Sequence, residues 1–249
     1  MKKGFTLIEL LVVIAIIALL MSIMMPALQG VKKHTKTIIC RSNLRQYGLA
    51  GRMYLDSNEG RFPNTMDWLY SKRPSGYCMW HDKAHNLVNH PENGGLLWPY
   101  LKEKNVHLCP TFKNVCRFRG CWWDGHDPSI PIEPQYSYSM NAFLGGDGRG
   151  KVSIETQVRH PAEVFFFSEE NSWEVPGVST CGINDNNLRI GIPPDIVDGF
   201  ATYHNTSDMD KGMANLVYLD GHVGTIKAEE QKDGGNFRLA WPRARSEIP

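Results

Sequence analysis

The chain has 249 residues and a formal net charge of +1, with 27 Lys and Arg against 26 Asp and Glu. That balance supplies no broad basic field, so it excludes charge-driven nucleic-acid binding as the main function. Seven tryptophans, 15 prolines and 23 glycines point to a loop-rich fold rather than a helical bundle.

The first element runs from Met1 to Pro26. Lys2, Lys3 and Gly4 precede Phe5-Thr6-Leu7-Ile8-Glu9, and a nearly unbroken apolar run follows from Leu10 to Met25. A bilayer crossing needs roughly 20 apolar residues, so the run is long enough. Glu9 sits near its start, and a carboxylate in mid-membrane costs about 2.5–3.5 kcal/mol on insertion scales. An ordinary anchor has no reason to carry it, whereas a subunit seeking a positive partner inside the membrane does. The lysines stay cytoplasmic under the positive-inside rule, which puts the chain after Met25 outside the cytoplasm. No small-residue cleavage site follows the apolar run, so it does not read as a secretory signal that is removed.

Lys2-Lys3-Gly4-Phe5-Thr6-Leu7-Ile8-Glu9-Leu10 resembles the class III signal of type IV pilins and pseudopilins. The resemblance implies cleavage after Gly4 by a prepilin peptidase, which also N-methylates Phe5. It implies assembly with other pilin-like subunits from the inner membrane, into a filament in the periplasm or at the cell surface. On a helix the new α-amino group of Phe5 lies one turn from Glu9, at i and i+4. The same amine can instead reach Glu9 of a neighbouring subunit, which makes Glu9 a register and recruitment residue. The expected function is a structural subunit of a pilus or pseudopilus, not an enzyme, with type II protein secretion the expected service. The competing expectation is a membrane-tethered binding module for a glycan or secreted partner.

Pro26 and Gly30 predict a kink, a loosening or an end of the helix, at about 3 and 1 kcal/mol respectively in a helix interior. From Ala27 to Ser57 the pattern is again helical, with Val31, Ile38, Leu49 and Met53 near helical spacing. The two halves together make one helix of roughly 50 residues, about 80 Å long. Asp56-Ser57-Asn58-Glu59-Gly60 ends it with turn chemistry. The expected organisation is a leader at 1–4, a membrane and assembly helix at 5–26, and its soluble half at 27–57. An extracytoplasmic globular domain at 58–230 and a tail at 231–249 complete it, with Phe237, Leu239 and Trp241 able to dock.

Residues 61–135 are irregular and rich in tryptophan, with Leu96–Leu101 a possible short helix. Those tryptophans line either a core or a glycan-binding surface. Leu108-Cys109-Pro110 is followed by Tyr136-Ser137-Tyr138-Ser139-Met140-Asn141. This pairing resembles pilin-like proteins with an expanded C-terminal region, in which a Cys-Pro step precedes a Ser-Tyr-x-Met-Asn strand. Glu163–Ser168 and Ala214–Leu219 read as strands, and Asp220-Gly221 before His222–Ile226 predicts a type I′ hairpin. The fold class is α+β: the long helix packed on an antiparallel sheet with long irregular insertions. The same expanded group ends in a histidine, about nine residues, then Asp-Gly-His-Val. His204 and Asp220-Gly221-His222-Val223 match, but the insert Thr206–Gly212 lengthens the spacing.

Six cysteines lie on the oxidising side, where disulfides persist. The expected bridge is within the cluster Cys109, Cys116 and Cys121. The alternative is zinc held by those cysteines with His107 or His126, although no Cys-x-x-Cys pair is present. His204, Asp220 and His222 are a candidate polar or metal site at the hairpin. Asp208 and Asp210, with Asp195 and Asp198, offer oxygen ligands to calcium, and resemblance to major pseudopilins implies such a C-terminal site. No EF-hand loop is present. Glu169 and Glu170 are adjacent on a strand and so point to opposite faces. No nucleophile elbow, phosphate-binding glycine loop or His-Glu-x-x-His motif occurs.

Overall fold

The computed structural model describes residues 6–71, 80–81, 86–116, 131–145, 151–180, 182–183, 185–191, 198–232, 236–244, 246 and 248. One helix, α1 (Leu7–Ser57), dominates it. Thr6 starts α1 with a capping box, and Asn58 with Glu59 and Gly60 at positive φ ends it, Gly60 N–H donating to the Leu55 carbonyl at 2.8 Å. The helix runs through Pro26 and Gly30 without a break, as one helix of 51 residues, so of the readings offered for Pro26 the end of the helix is not seen.

From Leu7 to Thr35 every residue of α1 is exposed, a projecting rod of about 45 Å. Burial begins at Thr37 and includes Cys40, Asn43, Leu44, Tyr47, Gly48, Ala50, Gly51 and Leu55. The helical period was legible in the sequence, but the face was not. Val31, Ile38, Leu49 and Met53 are exposed, on the side away from the sheet. At 3.6 residues per turn these four fall within about 60° of one another, one apolar stripe down the outer face.

Beyond α1, the described residues include a five-stranded sheet in the order β3-β1-β2-β4-β5. Its strands are β1 (Tyr138–Asn141), β2 (Phe165–Glu169), β3 (Asn187–Leu188), β4 (Met213–Tyr218) and β5 (Val223–Lys227). Four strands are antiparallel, as expected, but β3 pairs parallel with β1, so the sheet is mixed. Two short helices, α2 (Phe112–Val115) and α3 (Ala228–Gln231), lie outside it. Leu96–Leu101 contributes one 3-10 turn, Trp98–Tyr100.

Helix α1 crosses β2 and β4 closely because glycines face them. A Cβ on Gly48 would lie 2.7 Å from Val217 Cγ2, and one on Gly51 would lie 2.3 Å from Phe166 Cε1. Gly51→Ala should therefore destabilise by about 1–3 kcal/mol through overpacking, despite the roughly 1 kcal/mol that alanine contributes to helix propensity. A denaturant midpoint equal to or above wild type would refute this packing. Tyr47 stands at the centre of the interface, its ring centroid 5.2–5.7 Å from those of Tyr138, Phe167 and Trp68. Trp68, Trp80 and Trp173 are fully buried and Trp98 half-buried, so these tryptophans form core; Trp122 and Trp123 lie outside the described residues.

The hairpin between β4 and β5 forms where Asp220-Gly221 predicts it, but with a different turn. Only Gly221 has positive φ, at 90°, and its N–H donates to the Tyr218 carbonyl at 2.9 Å. Tyr218 N–H in turn donates to the His222 carbonyl at 2.9 Å. That is a type I turn followed by a glycine in the left-handed region, not type I′. The C-terminal segment docks rather than trailing. Phe237 and Trp241 are buried against Phe143, and Asn141 Nδ2 donates to the Ala240 carbonyl at 2.9 Å.

Candidate functional site

Two places carry chemistry. The first is the tip of α1. Glu9 Oε2 accepts from Thr6 N–H at 2.8 Å and from Thr6 Oγ1 at 2.7 Å, while Glu9 N–H donates to Thr6 Oγ1 at 3.3 Å. In the single chain the carboxylate thus caps its own helix and is exposed. Gly4 and Phe5 lie outside the described residues. Behind Glu9 the helix is long and apolar enough to cross a membrane.

Residues 1–25 match the family model of the prokaryotic N-terminal methylation motif. This supports a type IV pilin-like chain processed by a prepilin peptidase. Comparison with curated proteins and with solved structures gives no match.

The second place is where α1 enters the globular body. Cys40 of α1 forms a disulfide with Cys109, their Cα atoms 5.3 Å apart. This corrects the expectation that Cys109 pairs inside its own cluster. Cys116 is half-buried with no disulfide partner among the described residues, and Cys121 lies outside them. Sequence separation misled here: 69 residues part Cys40 from Cys109, and only the packing of α1 on the sheet brings them together. The Cys-Pro step and the Ser-Tyr-x-Met-Asn strand do meet. Cys109 N–H donates to Ser137 Oγ at 2.8 Å, and Ser137 N–H to the His107 carbonyl at 3.0 Å.

His204 joins this bridge rather than the hairpin. Asn205 takes φ of 51°, which asparagine tolerates, and turns the chain directly after His204. Paired backbone bonds of 3.1 Å to Met213 then hold His204 beside β4. Its Nε2 lies 2.8 Å from Glu169 Oε1 and 3.5 Å from Cys109 Sγ. Glu169 Oε2 accepts from Asn215 N–H at 2.7 Å and Asn215 Nδ2 at 2.9 Å. Glu169 was not selected by sequence reasoning, although a carboxylate ending the run Phe165-Phe166-Phe167-Ser168 signals a buried acid in need of donors.

The other residues considered for metal do not join His204. Asp220 caps the exposed hairpin turn, accepting from His222 N–H and lying 2.6 Å from His222 Nδ1. Asp208 pairs with Lys211 at 2.9 Å and accepts from Asp210 N–H. Asp210 accepts from Trp173 Nε1 at 2.6 Å. Asp195 lies outside the described residues. His107, offered for zinc, instead stacks on Trp98, with Nδ1 2.7 Å from Tyr47 Oη. His126 lies outside the described residues.

Glu170 points away from Glu169, as strand alternation predicts. Ser139 Oγ donates to Glu170 Oε2 at 2.7 Å, and the Arg189 N–H donates to Asp198 Oδ2 at 2.7 Å. Burial, and then the charge of Asp198, push the Glu170 carboxyl well up. Burial pushes Asp198 to about 7, with Asp185 adding and the Arg189 contacts opposing. A carboxyl raised on folding holds its proton in the native state, so stability is full at low pH and falls as pH rises through about 4 to 7. His107 works oppositely: burial lowers it to about 4, so its contribution grows as pH rises over that window. Asp198→Asn removes that ionisation together with the charge that pushes Glu170 up. Its stability relative to wild type should rise by roughly 4 kcal/mol between pH 4 and pH 8, read from denaturation curves. A pH-independent difference would show that Asp198 ionises without penalty.

Proposed function

We propose that this chain is a filament subunit, held in the inner membrane by α1, cleaved after Gly4 and methylated at Phe5. Its globular body lies on the extracytoplasmic side, and the filament is a pseudopilus serving type II protein secretion. The observation that carries the reading is the projecting half of α1. From Leu7 to Thr35 every residue is exposed, the segment is almost wholly apolar to Met25, and Glu9 lies within the methylation motif. Exposed apolar surface on this scale needs lipid, other subunits, or both. The outer stripe of Val31, Ile38, Leu49 and Met53 extends that surface along the globular body. The secretion role rests on the likeness of residues 2–10 to pseudopilin signals. The alternative of a glycan-binding module draws on exposed tryptophans, and Trp68, Trp80, Trp173 and Trp241 are buried.

The test is the mass of the N-terminal peptide from membranes of cells with and without the prepilin peptidase. The expected peptide starts at Phe5 and carries one added methyl, only when the peptidase is present. A chain that keeps Met1 in peptidase-positive cells would overturn the filament reading.

A further inference from the structure

Four donor side chains from four separate segments converge at one buried point. Cys40 comes from α1, Cys109 from the loop before α2, Glu169 from β2, and His204 from the loop before β4. None is more than 1% exposed, and their ligand atoms all lie within 4.8 Å of one another. A tetrahedral zinc ion, with about 2.3 Å to sulfur and 2.0 Å to nitrogen or oxygen, has ligand-to-ligand edges of roughly 3.3–3.8 Å. The 3.5 Å from Cys109 Sγ to His204 Nε2 fits those edges, and 2.8 Å from Nε2 to Glu169 Oε1 requires a small opening.

The outer atoms of these ligands are already held. Asn215 fixes Glu169 Oε2 through two donors, leaving Oε1 toward the sulfurs. Thr37 Oγ1 and Thr111 Oγ1 lie 3.3 and 3.5 Å from His204 Nδ1, which turns Nε2 inward. Ser137 Oγ holds the Cys109 backbone. Outer partners that orient the ligands are the arrangement metal sites use to fix tautomer and ring direction.

We propose that the reduced chain binds a zinc-class divalent cation through Cys40, Cys109, His204 and Glu169, and that the Cys40–Cys109 disulfide is the oxidised, metal-free state of the same site. A dithiol reductant supplies two electrons and two protons to the bridge and leaves as its own disulfide. The S–S bond breaks, and the sulfurs separate by side-chain rotation. The cation then displaces two thiol protons to solvent. His204 moves its remaining proton to Nδ1, facing the threonine hydroxyls, and gives Nε2 to the metal. Either state fastens α1 to the sheet where the helix leaves the body, so one latch serves oxidising and reducing surroundings.

The test uses the full chain in detergent, titrated with Co²⁺ before and after metal-free reduction with a phosphine. The phosphine becomes its oxide, with oxygen from water, as the bridge gains two electrons and two protons. The reduced chain should take up one Co²⁺ with the visible bands of tetrahedral, thiolate-ligated cobalt, displaceable by Zn²⁺. The oxidised chain should show none. Thr37→Val, which keeps all four ligands, should weaken binding about 10–100-fold. His222→Ala, at the exposed hairpin, should leave it unchanged. If reduction unfolds the chain, added Zn²⁺ should restore native circular dichroism. Failure to restore it would overturn the proposal. So would a folded reduced chain without the cobalt bands, or equal binding by the oxidised chain.

Discussion

Glu9→Ala should remove the chain from sheared filaments while the globular body melts as wild type does. Within the single chain the substitution costs only the capping box, about 0.5–2 kcal/mol at a helix end far from the core. In the assembly, the carboxylate is expected to meet the amino terminus of Phe5 from a neighbour, away from bulk water. Two unit charges 4 Å apart interact by about 4 kcal/mol at an effective dielectric of 20. Loss of that pairing corresponds to roughly a thousandfold loss in subunit association, at 1.4 kcal/mol per factor of ten. Glu9→Gln separates the two roles, because glutamine can accept from Thr6 but carries no charge. It should fail in assembly nearly as badly as alanine. Quantitative immunoblots of sheared and cell-bound fractions provide the measurement. Wild-type filament levels for Glu9→Gln would show that Glu9 acts through helix capping and not through charge.

Glu169→Ala should unfold the globular body or leave it barely stable. The Glu169 carboxylate is fully buried and takes three donors, from His204 Nε2, Asn215 N–H and Asn215 Nδ2. Truncation leaves all three facing a cavity that water does not fill as well. Each buried donor left unsatisfied costs about 1–3 kcal/mol, against a total stability of about 5–15 kcal/mol for a domain. Glu169→Gln keeps the shape and one acceptor, but its amide meets a donor head-on, at about 1–3 kcal/mol. Denaturant midpoints of the two variants should fall in that order. A Glu169→Ala protein within 1 kcal/mol of wild type would show that the cluster contributes little to the fold.

The N-terminal quarter of this protein is legible because its information is local. Gly4-Phe5-Thr6-Leu7-Ile8-Glu9 before an apolar run needs no tertiary partner to be recognised. Helix α1 follows from length and periodicity, with its end marked by Asn58, Glu59 and Gly60. The strands at 165–169, 213–218 and 223–227 were visible for the same reason, as short apolar runs bounded by turn residues. The short strand Asn187–Leu188 was not, since two residues have no period. The side of α1 that packs was not legible either. Exposed Val31, Ile38, Leu49 and Met53 look like a core stripe, while the true contact face is built from Gly48, Gly51, Tyr47 and Cys40. Small residues permit close approach to a sheet, and that demand is set by the partner surface.

The polar centre was the least legible part. His204 and Asp220 stand out in sequence beside the hairpin, yet one is core and the other is an exposed turn cap. Glu169 and Asn215 carry no motif, and Cys40 sits 69 residues from the cysteine it meets. Sequence alone therefore determined the membrane-capable helix, its processing motif and the α+β class, because each is written in neighbouring residues. Only the tertiary structure decided which cysteines pair, which histidine is buried and which carboxylate faces it. Those partners are chosen by the packing of α1 across β2 and β4, a contact between segments more than 100 residues apart.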